Sequence, residues 1–206
     1  YTFDFNQGDH EWEVLFSDYP VGEESNYELS FEKSGLPAPL DPLKKSIKVT
    51  GNNHSDDLLS IIYRKIDGLE PNTRYAVSFS INFASNVCKS CVGVGGSPNL
   101  ALGAGGLPHA PGNLIVGDNE FPYYRPNFIT EIQGYRSNSA MKMLGRIGVG
   151  EELSNPYAIS NLNNKEAPIY LTSNAKGELW LIVGTDSGFE ATTTLYYTKI
   201  EVILKK

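Results

Sequence analysis

The amino-acid sequence predicts an all-β protein, an antiparallel β-sandwich of jelly-roll type. Three observations carry that expectation. Residues Tyr75 to Ala84 alternate apolar and polar side chains, the period of a strand with one buried face. About ten apolar runs of strand length are separated by segments rich in Gly, Pro, Asn and Ser. No stretch has the sustained 3.6-residue period of an amphipathic helix. Without helical crossovers the strands pair antiparallel, and 206 residues favour two sheets packed face to face over one open sheet.

From the N-terminus, "TFDF", "EWEVLFSD", "YELSFE" and "SIKVT" read as short strands, and Trp12 is expected in the core with Val14 and Phe16. "LLSIIYRK" is followed by "IDGLEPNTRY", where Gly68, Pro71 and Asn72 suit a tight connection. The strand that follows places Tyr75, Val77, Phe79, Ile81 and Phe83 on one face. "NLIVG", "MKMLGRIGVG" and "APIYLT" are weaker strands. "GELWLIVGT" holds a continuous apolar run from Leu179 to Val183 and reads as a central strand with Trp180 in the core. In "TTTLYYTKIEVIL", Tyr196, Ile200, Val202 and Leu204 alternate against Tyr197, Lys199 and Glu201. "FITEIQGYR" is the best short helical candidate, weakened by Gly134. Neither repeat nor linker divides the chain, so residues 1–206 are expected to form a single domain, with a long loop-heavy insertion around 86–136 that wraps an edge or lies over one face.

Composition narrows the function. Hydrophobic residues make up 40% of the chain and charged ones 20%, enough apolar material for a packed core. The formal charge of -7 comes from 24 acidic and 17 basic side chains, with no cationic stripe to meet phosphates, so nucleic-acid and electrostatic membrane binding are not expected. No apolar run reaches the roughly 20 residues of a transmembrane helix, and "YTFDFNQGDH" carries no signal-peptide features, so a mature or trimmed form is expected. Many tyrosines and polar turns suit an exported protein.

Both cysteines lie in "CKSC", Cys88 to Cys91, ahead of "VGVGGSP". A zinc site needs four ligands, and His10, His54 and His109 offer no second close pair. A thioredoxin-like motif needs a helix after the cysteines, which these glycines oppose. The glycines match neither phosphate-loop pattern. A local disulfide between Cys88 and Cys91, or two free thiols in a loop, remains, and for an exported chain the disulfide is expected.

Two acid-rich loops, "GNNHSDD" and "GTDSGFE", adjoin strongly apolar strands. Either can be an ordinary polar connection in which Asn and Asp cap their own backbone. Gathered together, however, their carboxylates would need a cation, and Asp56, Asp57, Asp186 and Glu190 are the candidate ligands of a structural calcium ion. The same four are candidates for the acid and base of a glycoside hydrolase. His54 could line that site. A serine hydrolase is disfavoured, because no G-x-S-x-G elbow occurs. Sugar binding would use exposed rings, for which Trp12, Tyr19, Tyr123, Tyr124, Tyr135 and Phe189 lie in or near loops. "EFPYYRP", with Tyr123, Tyr124 and Arg125 between prolines, is the best exposed cluster.

The segments "FDFNQGDHEWEVLFSD", "GLEPNTRYAVSFSINFASN" and "LWLIVGTDSGFEATTTLYYTKIEVIL" resemble the first, middle and last strands of galactose-binding-like jelly rolls, the fold of many carbohydrate-binding modules. "SGLPAPLD", "GNNHSDD", "FASN", "VGVGGSP" and "GTDSGFE" further resemble a group of uncharacterised bacterial secreted proteins and lipoproteins. These resemblances imply a secreted or cell-surface protein, lipid-anchored if a removed N-terminal segment carried the anchor. The function they imply is a non-catalytic module that binds carbohydrate or a cell-surface glycan, or acts in adhesion, with His54, Asp56, Asp57, Tyr123, Tyr124, Arg125, Asp186, Phe189 and Glu190 as candidate ligand-binding residues. A glycan-acting hydrolase with a carboxylate pair in the loops 52–57 and 184–190 is the alternative, and a surface protein without a small ligand is the third.

Overall fold

The computed structural model describes residues 1–118 and 120–206. Its strands are β1 (Thr2–Asp4), β2 (Glu13–Ser17), β3 (Ser30–Gly35), β4 (Lys45–Asn52), β5 (Leu58–Ile66), β6 (Arg74–Ser85), β7 (Ala101–Leu107), β8 (Asn113–Val116), β9 (Tyr123–Pro126), β10 (Met141–Arg146), β11 (Ala158–Asn163), β12 (Ile169–Thr172), β13 (Leu179–Ser187) and β14 (Thr192–Lys205). The described residues contain no helix, and hence none long and apolar enough to cross a membrane. One sheet runs β11-β6-β14-β4-β3, with β1 on β14 and β12 on β6. The other runs β10-β7-β13-β5-β2, and β8 with β9 forms a separate ribbon. The ladders between named strands are antiparallel, so the chain is an antiparallel β-sandwich of jelly-roll type.

The core lies between the two sheets. Tyr75, Val77, Phe79, Ile81 and Phe83 of β6 face Leu179, Leu181 and Val183 of β13, together with Ile62, Leu102 and Val202. The alternation in β6 is thus the alternation of its two faces. In β14 the phase differs from the expected one. A register shift between Tyr197 and Lys199 adds one residue and changes which face follows. Tyr197 is therefore in the main core, whereas Tyr196 packs on the other side with Leu36 and Ala84.

β13 reads as continuously apolar because its sheet is covered on both faces. Ile182 packs on the outer side with Leu59, Ile61, Ala101, Ile132 and Met141. The cover is residues 128–141, from the segment expected to be loop-heavy. "FITEIQGYR", the helical candidate, forms only a turn over Ile132–Tyr135. Trp180 lies beyond this cover, on the same outer side as Ile182, and is half-buried instead of in the core. Trp12 is buried, edge-on to Phe3 and Phe5.

The segment 86–136 also holds β7, a middle strand of the second sheet that the sequence reading does not identify. "ALGAGGL" has no alternation to reveal it; its glycines make room for the cover. A Cβ at Gly105 would collide with the Ala140 carbonyl, and one at Gly103 with the Ile132 side chain.

Candidate functional site: an acidic cluster beside an open cleft

Sheet pairing brings together three chain segments that are far apart in sequence. Leu59 of β5 pairs with Ser17 of β2 on one side and with Asp186 of β13 on the other. Residues next to those positions therefore share one end of the sheet. Asp18 follows β2, Asp57 precedes β5, and Asp186 lies near the end of β13. One carboxylate oxygen from each of the three lies within 4.8 Å of the others.

The ribbon supplies the counter-charge. β9 continues against the chain after β2, with bonds from Asp18 N to the Tyr124 carbonyl (3.1 Å) and from Tyr124 N to the Tyr19 carbonyl (2.9 Å). This places Arg125 Nη1 at 2.6 Å from Asp18 Oδ1 and 2.9 Å from Asp57 Oδ2. Asp18 has φ of 65° and Asp56 φ of 60°, left-handed conformations that Asp tolerates better than most side chains.

The electrostatics are uneven. Burial pushes the Asp18 carboxyl above its ordinary value and the Asp57 charge adds to this, against the lowering pull of Arg125. Asp186 is only 6% exposed, and its carboxyl is held well above the ordinary range, first by burial and then by the charges of Asp57 and Asp18. Its Oδ1 is buried without a hydrogen-bond partner among the described residues. Like charges brought out of water oppose one another unless a proton or cation intervenes.

The two acid-rich loops meet. Asn53, buried, donates from Nδ2 to the Ser187 carbonyl at 2.7 Å and accepts at Oδ1 from Ser55 N at 3.0 Å. Ser55 Oγ in turn donates to the Asp57 carbonyl at 3.0 Å. Within these loops only Asp57 and Asp186 join the carboxylate cluster. Asp56 is exposed and its backbone carbonyl accepts from Gln133 Nε2 at 2.6 Å. Glu190 is also exposed, and its backbone N bonds the Val94 carbonyl. His54 stands apart, with Nε2 3.1 Å from the Asn26 carbonyl and its ring edge-on to Tyr27.

The tyrosines of "EFPYYRP" are not a free platform. Tyr124 packs on Tyr19 with ring centres 5.2 Å apart. Tyr123 donates to the Asp18 carbonyl at 3.0 Å, and its ring lies under Arg125. Prolines flank them, as the sequence shows, but the ribbon folds back onto the end of β2 and takes the rings with it.

Asp186 also faces an open cleft of about 560 Å³, lined among others by Tyr135, Arg146, Gln133, Phe189 and Asp56. Arg146 lies 4.0 Å from the centre of the Tyr135 ring. One wall is the glycine loop after the cysteines. A Cβ at Gly96 would lie 2.8 Å from the Gly188 carbonyl oxygen, so glycine lets the loop close against the β13–β14 connection. Cys88 and Cys91, joined by a disulfide, anchor the start of that loop.

Asp18 and Arg146 are site residues that the sequence reading missed. "FSDYP" and "GRIGV" contain no motif, and their positions become meaningful only through pairing with β5 and β7.

No protein-family model matches the chain, and no curated protein sequence matches it. Among solved structures, 98% of the chain aligns with a carbohydrate-binding module from the β-sandwich superfamily at 9% identity and TM-score 0.49, spanning 60% of that chain. The enzymatically active domain of tailspike protein 4 from bacteriophage CBA120 aligns over 98% at 8% identity and TM-score 0.40, with 20% of that chain covered. TmCBM61 in complex with β-1,4-galactotriose aligns over 98% at 7% identity and TM-score 0.41, with 94% of that chain covered. None of these likenesses identifies a family.

Proposed function

We propose that the protein is a non-catalytic carbohydrate-binding or adhesion module that takes a glycan in the cleft between Tyr135 and Phe189. The observation that carries this reading is the lining of the cleft: an exposed tyrosine and a half-buried phenylalanine beside an amide, a guanidinium and carboxylates. Rings stack on the apolar faces of sugars, and planar polar groups bond their hydroxyls. An extracellular or cell-surface setting is part of the proposal, and a Cys88–Cys91 disulfide is compatible with it.

A glycan array with purified protein, followed by calorimetry on the hits, tests the reading. Tyr135→Ala is expected to weaken binding about tenfold, the equivalent of about 1.4 kcal/mol. Absence of any glycan ligand, or unchanged affinity in that variant, refutes it.

One observation favours a hydrolase instead. Asp57 is paired with Arg125 while Asp186 is pushed towards its protonated form, the asymmetry an acid and base require. Product release from the same glycans, lost in Asp186→Ala, would establish that reading over the binding module.

A further inference from the structure

The cleft holds one cationic side chain that the protein itself leaves unpaired. Arg64 pairs with Glu11, Arg125 with Asp18 and Asp57, and Arg136 with Glu131. Arg146 forms no ion pair among the described residues; its guanidinium rests on Tyr135, 4.0 Å from the ring centre, at the lining of the cleft. Arg74 has no acidic partner either, but it stacks on Tyr170 outside the cleft. We propose, on the reading of this cleft as the glycan site, that its ligand is an acidic glycan whose sugar carboxylate is held by Arg146.

A bulge aims Arg146 into the cleft. Met141 and Met143 of β10 pack on the outer side of the second sheet, and strict alternation would next turn Gly145 outwards and Arg146 towards the core. Leu144 is instead an extra residue, since Met143 pairs with Gly103 and Gly145 with Leu102. Such an insertion shifts the phase of the strand. Leu144 packs on the main core, and Gly145 turns to the same side, where a Cβ would lie 2.6 Å from Leu162 Cδ2. Arg146 then pairs with Ala101, a member of the outer cluster, and directly opposed residues share a face.

The chemistry of the guanidinium favours a carboxylate. Lying against an aromatic ring, it keeps its N–H edge free for planar, bidentate bonding, and no internal acid has to be displaced. The carboxylate of a uronic acid is planar and attached directly to the sugar ring, so it can meet that edge while the ring packs on the aromatic walls. A sulfate ester is tetrahedral and stands off on an oxygen. Asp186, in the same cleft, is held towards its neutral form by burial and by the charges of Asp57 and Asp18, which lessens repulsion of an anionic ligand. Asp56 is exposed and lies beside Gly188 and Gln133. It sets the direction of the chain: the acidic sugar lies at Arg146, and neutral hydroxyls point to Asp56 and Gln133.

The test uses the whole chain and matched probes: oligogalacturonides and oligoglucuronides, the same oligosaccharides after carboxyl reduction to neutral sugars, and sulfated oligosaccharides. In calorimetry at low salt, at least one uronate probe is expected to bind about tenfold more tightly than its reduced counterpart. The preference should shrink at about 0.5 M sodium chloride. Arg146→Gln should bring the two affinities together by weakening the uronate alone. Arg146→Lys should keep only part of the preference, because an ammonium lacks the fork. Arg146 is exposed, so both variants should melt with the parent.

A preference that survives Arg146→Gln overturns the proposal, and sulfated probes bound as tightly as uronates overturn the choice of carboxylate. Neutral glycans bound as well as uronates overturn it while leaving the carbohydrate reading intact, whereas no binding to any glycan overturns both.

Discussion

Asn53→Ala should separate the two loops that frame the site. Asn53 is 1% exposed, and its amide bridges them by donating to the Ser187 carbonyl at 2.7 Å and accepting from Ser55 N at 3.0 Å. Its backbone bond to the Ala191 carbonyl survives the substitution. Each lost bond is worth about 1 kcal/mol net, and a buried group left without its partner costs about 1–3 kcal/mol more. The expected loss is about 3–5 kcal/mol, which in a chain of this size lowers the melting temperature by about 6–20 °C. Equilibrium urea unfolding, with Ser55→Ala as comparison, measures it. Ser55→Ala keeps the backbone amide and removes only hydroxyl bonds, so it should cost clearly less. A loss below about 1 kcal/mol for Asn53→Ala, or one equal to that of Ser55→Ala, would show that the amide does not hold the loops together and refute the reasoning.

Reduction of Cys88–Cys91 should add about two mass units and cost no more than about 2 kcal/mol, because a loop of this length releases little chain entropy; glycan affinity should fall more noticeably, since the loop forms a wall of the cleft. Parallel thermal melts and calorimetry with and without reductant decide this, and a global collapse on reduction would contradict it. Burial, and then the Glu13 carboxylate 2.9 Å from its hydroxyl, push the Tyr63 phenol up to about 12. Because the folded value is raised, the associated stability is complete below about pH 10 and is lost as pH climbs through 10 to 12. Tyr63→Phe should therefore lose less stability than the parent across that interval in urea titrations, and identical slopes would exclude the effect.

The sandwich was legible in the chain because strand periodicity is local. The inward face of β6 follows from five alternating residues, and the Gly68–Asn72 turn from backbone chemistry alone. The Cys88–Cys91 pair needed only two residues close in sequence. Where reading failed, the deciding interaction was remote. Trp180 and Tyr196 were misassigned because one depends on how far residues 128–141 cover the outer face, and the other on a bulge in β14. β7 was invisible because its glycines are selected by what packs over them, not by a strand period.

The site divides in the same way. Asp57 and Asp186 stand out in the sequence as acids beside apolar strands, and Tyr135 and Phe189 as aromatic residues in loops. Asp18 and Arg125 acquire their relation only when β2 and β13 pair on either side of β5 and the β8–β9 ribbon folds back on the end of β2. By itself the sequence determined which segments could be strands and which side chains could carry charge or stack on a sugar, since those properties belong to single residues and their near neighbours. Only the tertiary structure decided which carboxylates share one low-dielectric space, because strand order and register bring residues 18, 57, 125 and 186 together across distances that no local pattern encodes.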